Sequence, residues 1–144
     1  MNKVTLFATA SVLFIGVNAA QAQTAKYAIR SLSTGTSYAV AASSVSASNE
    51  ASPNYSYVAI PKSTAGLLSV RVTMSFDPSI TLFVMEGPYG SNSTFAVRPG
   101  STSTSFGQYL NTPMCLDGIQ TYKVKMFNKA GALVSTKQLD IDLR

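Results

Sequence analysis

Near the C-terminal end, in LDIDLR, Asp140 and Asp142 stand two residues apart, the chain's nearest approach to an acid–base pair. On a strand that spacing puts both carboxyls on one face, about 6.5–7 Å apart from the rise per residue. Glycoside hydrolysis needs two carboxyls facing each other across a cleft, whereas Gln138 and Arg144 make this face polar along its length. The pattern predicts a solvated face whose charges guard a strand edge against indiscriminate pairing. Histidine is absent from the chain, which removes Ser-His-Asp and Cys-His catalysis, the usual base near neutral pH, and His-containing zinc sites. The single cysteine, Cys115, excludes an internal disulfide and a thiolate metal cluster. Its neighbours Met114 and Leu116 predict a buried, inert thiol in apolar company. The six carboxylates form no calcium-loop pattern, and the glycines of GPYGSN lack the Lys-Ser/Thr of a phosphate loop. No enzyme, metal or cofactor is expected.

Binding is the chemistry that remains. Tyr89, Tyr109 and Tyr55 are the candidate contacts for a ligand or partner, because tyrosine offers an apolar ring and a polar tip. Tyr89 lies in GPYGSNST, which reads as a projecting turn. Carbohydrate would suit such side chains, although the chain has no tryptophan. The net charge of +5 is spread over single basic residues apart from Lys123, Lys125 and Lys129, so no basic stripe marks a nucleic-acid surface.

The elements that must position these residues are strands. MNKVTLFATASVLFIGVNAAQAQ reads as a secretory signal peptide: Lys3, an apolar run over residues 4–17, and an Ala20-Gln21-Ala22 cleavage site. The run is too short and too hydroxyl-rich for a membrane span, which takes about 20 apolar residues. Residues 1–22 are therefore the expected signal peptide. Residues 23–144 are the expected mature domain, secreted or periplasmic and of the kind bacteria export, with no transmembrane span. In LLSVRVTMSF, Leu68, Val70, Val72, Met74 and Phe76 alternate with polar residues, a half-buried strand. SITLFVMEG, apolar on both faces, predicts a central strand buried on both sides, joined to the first through Asp77-Pro78 as a core hairpin. KYAIRSL, TSYAVAASSV, NYSYVAIP, TFAVR and TSFGQYL continue the strand pattern, SSVSASNEASPN reads as a loop, and Gly107 as a bulge or close backbone approach.

In the terminal pair, Tyr122, Val124 and Met126 share one face, and Leu139, Ile141 and Leu143 face the core from beyond a turn containing Gly131. Eight or nine short antiparallel strands describe a single all-β sandwich, immunoglobulin-like or jelly-roll. Its expected function is that of a non-enzymatic structural or interaction protein, partnered by itself or by another exported or cell-surface protein. A self-assembling surface or filament subunit is one form of this. A carbohydrate- or ligand-binding module, or an accessory or inhibitor protein of an exported enzyme, is the alternative. The terminal strand is expected to complete its own domain, leaving assembly to another edge or to the loop around Tyr89.

Overall fold

The computed structural model describes residues 23–42 and 54–144. The proposed signal peptide and most of the Ser/Ala-rich loop lie outside these residues. Ten strands are assigned among them: β1 (Thr24–Ser31), β2 (Ser37–Tyr38), β3 (Ala41–Ala42), β4 (Tyr55–Ile60), β5 (Leu67–Ser75), β6 (Ile80–Glu86), β7 (Asn92–Ala96), β8 (Ser103–Asn111), β9 (Gly118–Asn128) and β10 (Leu133–Leu143). A single helical turn, α1 (Lys62–Ala65), precedes β5. The strands form two sheets, β2-β1-β5-β8 and β3-β4-β10-β9-β6-β7, in a sandwich-like, all-β arrangement. Among the described residues no helix is long and apolar enough to cross a membrane.

The period-two pattern sets which face each strand buries. Leu68, Val70, Val72 and Met74 of β5 point at Phe83 and Met85 of β6, Val124 and Met126 of β9, and Leu139, Ile141 and Leu143 of β10, all within 1% of complete burial. Phe106 on β8 joins the layers, its ring 4.4 Å from Phe95 and 5.3 Å from Phe83. The β9–β10 hairpin closes as expected, with Gly131 at φ 81° and the Asn128 side chain accepting from the N–H of Ala130 and Ala132.

Several expectations need correction. β5 and β6 do not form a hairpin: β5 lies in the four-stranded sheet and β6 in the six-stranded one. Asp77-Pro78 carries the chain between the layers, and the Asp77 carboxylate accepts from the Ser79 N–H at 2.7 Å. β6 is buried on one face only, since Leu82 and Val84 are half-exposed. TSYAVAASSV is two short pieces, β2 and β3, in different sheets. The sandwich is not wholly antiparallel, because β4 runs parallel to β10. This puts β10 in the interior of its sheet, between β4 and β9, so its aspartates guard no edge.

Candidate functional site

The three tyrosines do not converge. Tyr55 lies on the outer face of the six-stranded sheet, where its hydroxyl donates to Asp140 Oδ2 at 2.7 Å. Asp140 also accepts from Thr121 Oγ1 at 2.8 Å and Gln138 Nε2 at 3.1 Å, and it is 9% exposed, not solvated as the sequence suggests. One strand position along, Tyr57 donates to Asp142 Oδ2 at 2.6 Å, and Arg144 bonds both partners, Nε to Asp142 Oδ2 and Nη2 to Tyr57 Oη. The hydrogen bond to Asp140 pushes the Tyr55 phenol up to about 12. The Tyr57 hydroxyl, then Arg144, hold the Asp142 carboxyl below its ordinary range. Two tyrosine–aspartate pairs thus fasten β4 to β10, and their carboxylates hold strands together where catalysis would need them opposed across a cleft.

Tyr109 is on the opposite outer surface, on β8 of the four-stranded sheet, and is 70% exposed. Tyr89 sits in the 3-10 turn Pro88–Gly90 at φ 58°, a left-handed conformation, and its hydroxyl accepts from the Leu116 N–H at 2.9 Å. An open groove of about 410 Å³, lined by Glu86, Gly87, Thr121, Lys123 and Gln138, lies on the six-stranded sheet. Beside it Lys125 Nζ pairs with Glu86 at 2.9 Å. Among the described residues no group of three or more His, Cys, Asp or Glu could hold a metal ion. Cys115 is buried, and its thiol, pushed up mainly by burial, lies 3.3 Å from the Asn111 carbonyl. The expected reason for that burial is wrong: Met114 is 82% and Leu116 75% exposed, both pointing out of the turn that buries the cysteine between them.

The strand that carries Tyr109 has the less ordinary surface. β8, STSFGQYLN, pairs along one side with β5 over nine residues in unbroken register. It ends the sheet order, so no described strand lies on its other side. It contains no charge and no proline, the usual devices that blunt an edge. The other edge strands are short: β2 and β3 have two residues each and β7 five. Flanking bonds from Phe76 N–H to Thr102 O and from Thr112 N–H to Gly66 O set the phase of the β5–β8 ladder. By the alternation of antiparallel pairing, Ser103, Ser105, Gly107 and Tyr109 turn their N–H and C=O to the open side, and Asn111 turns its N–H there, its carbonyl already accepting from Cys115 Sγ.

Two features hold this edge in place. Gly107 allows a close approach, as a Cβ there would stand 2.3 Å from the Val70 carbonyl oxygen. Gln108 reaches the other sheet, donating to the carbonyls of Met85 and Ser91 and to Ser93 Oγ at 3.0–3.1 Å. Beside the edge is an apolar rim. Leu32 and Leu67 are exposed neighbours, with the Leu32 N–H bonded to the Leu67 carbonyl. Tyr109 is diagonal to Leu67, and Met114 and Leu116 follow β8 in the chain. The same outer face carries Lys26, Arg30 and Arg71, while β1, β5 and β8 contain no carboxylate. Absence of charge from TSFGQYL was visible in the sequence, but which strand lies at an edge was not. The chain matches no protein-family model and no curated protein sequence.

Proposed function

We propose that this is an exported, non-enzymatic interaction protein that assembles by β-strand addition, with β8 as the receiving edge. The observation that carries the reading is the nine-residue, uncharged strand whose outer side meets no described strand. Main-chain groups along such an edge supply binding, and the side chains beside it supply choice of partner. The exposed Leu32, Leu67 and Tyr109, neighbours on the outer face, favour the same surface, since apolar patches mark interaction sites. Strand order favours an immunoglobulin-like rather than a jelly-roll arrangement: β1-β5-β8 corresponds to strands A, B and E, and β10-β9-β6-β7 to G, F, C and C′. A single carbohydrate platform built from Tyr55, Tyr89 and Tyr109 is disfavoured, because Tyr55 and Tyr109 lie on opposite outer surfaces.

Export follows from the leader in this reading, and intact-mass measurement of secreted protein should give a chain beginning at Gln23. The assembly test is light scattering of mature protein over a range of concentrations, with Ser105→Lys and Tyr109→Lys as variants. Wild-type protein should associate, and either lysine should return it to monomer with an unchanged circular dichroism spectrum. Association that both lysine variants retain in full would remove β8 from the account.

A further inference from the structure

Strand addition at β8 leaves the incoming strand open, and this inference rests on that reading. We infer that the strand is β8 of a second copy, paired antiparallel about Gly107 in a closed two-fold dimer. A two-fold interface must be self-complementary, each contact occurring twice, and β8 meets that condition. Gly107 is the middle residue of Ser103–Asn111, so centring the pair on it overlaps the whole strand. Ser105 then faces Tyr109 of the other copy and Ser103 faces Asn111, with no like charges opposed. The residues brought together are those whose main-chain groups are directed outward. Ser103, Ser105, Gly107 and Tyr109 of each copy find main-chain partners, Asn111 adds its N–H, and two four-stranded sheets become one of eight strands.

Side chains support the same register. Arg71 lies against Gly107, with its Cγ 3.1 Å from where a Cβ would be, and its Nη2 bonds Ser105 Oγ at 3.2 Å. Centring on Gly107 sets the Tyr109 ring of one copy opposite Ser105 and diagonal to Gly107 of the other, against that guanidinium. An arginine at an aromatic face is attractive, and a ring covering an edge glycine is a known register device in sheets. The two Arg71 strands are three strand spacings apart, about 14 Å, beyond the roughly 8 Å screening length of physiological salt. Their repulsion does not oppose pairing. The other open edges of more than two residues that β8 could pair with include β7, with five residues, and the part of β1 that β2 does not cover, Thr24–Ala28, and each leaves part of the longer strand uncovered. Such a head-to-tail contact also grows as an open chain of copies.

Disulfide mapping tests this in full-length mature protein with Cys115 changed to Ser. Differently tagged Ser105→Cys and Tyr109→Cys proteins are mixed and oxidised, and Ser103→Cys is mixed with Asn111→Cys as an independent pair. Both mixtures should cross-link between tags. Ser105→Cys alone should not, because its two copies would sit four residues apart along the strands, beyond the 7 Å reach of a disulfide. Scattering should give the mass of two chains, and Tyr109→Ala should weaken the dimer roughly tenfold while Tyr109→Phe keeps it. Association abolished by Ser105→Lys but without these cross-links, or growing into filaments, would overturn the self-paired dimer and leave strand addition at β8 standing. A monomer at every concentration would overturn both.

Discussion

Asp142 and Tyr55 tie the stability of the fold to pH from opposite ends. The Asp142 carboxyl is held low by Tyr57 and then Arg144, and the Asp77 carboxyl by the Ser79 N–H. Both release their protons more readily in the folded protein than in the unfolded chain, where an aspartate titrates near pH ~3.9. Their stabilisation is therefore present above that value and is lost as the pH falls through their lowered folded values. Tyr55 behaves the other way. It keeps its proton to about 12, whereas an unfolded tyrosine titrates near the model value of 10.0. Its contribution is complete below 10 and declines as the pH rises from 10 towards 12. The buried phenols of Tyr27 and Tyr122, pushed up by desolvation, shift in the same direction. Denaturant midpoints measured across pH should fall at both ends, and Tyr55→Phe should flatten the alkaline decline. The same substitution removes a donor from the 9%-exposed Asp140 and should cost about 1 kcal/mol near neutral pH. Cys115 should react slowly with a thiol reagent until denaturant is added, because burial both shields it and raises its thiol.

Among the elements, β5 and β8 pack closely at one point that a substitution can probe. Gly107→Ala would drive a Cβ to within 2.3 Å of the Val70 carbonyl oxygen, a backbone atom that cannot swing aside. Loss of roughly 1–3 kcal/mol is expected, read as a lower denaturant midpoint. Gly107 as a close approach was legible from a glycine inside an alternating strand. So were the inward faces of β5, β9 and β10, because alternation records which side of a strand is apolar. Alternation does not record which strand lies alongside. Asp77-Pro78 would have suited a hairpin as well as a crossing between sheets, and the chain takes the crossing. Asp140 and Asp142 read as solvated for a related reason. The tyrosines that cover them stand 85 residues earlier in sequence, and no local pattern announces a parallel β4. The β8 edge was hidden likewise, since being last in a sheet belongs to the arrangement of all its strands.

For the whole molecule, β10 is the strand on which most depends. Leu139, Ile141 and Leu143 are at most 1% exposed, and burying three such side chains is worth roughly 4–9 kcal/mol, comparable to the net stability of a domain. Deleting residues 138–144 should unfold the protein, with sheet signal and compactness lost together by circular dichroism and scattering. A truncated chain that stayed folded but no longer associated would instead make the last strand an assembly element. Because β10 lies between β4 and β9, the order in which a ribosome releases the chain also matters. A nascent chain that has reached only residue 132 has every strand of the four-stranded sheet, but its other sheet is divided into β3-β4 and β9-β6-β7. The seam closes when a strand following all the others threads between those halves. Up to that moment the six-stranded sheet stays in two parts, and the chain cannot complete its native form.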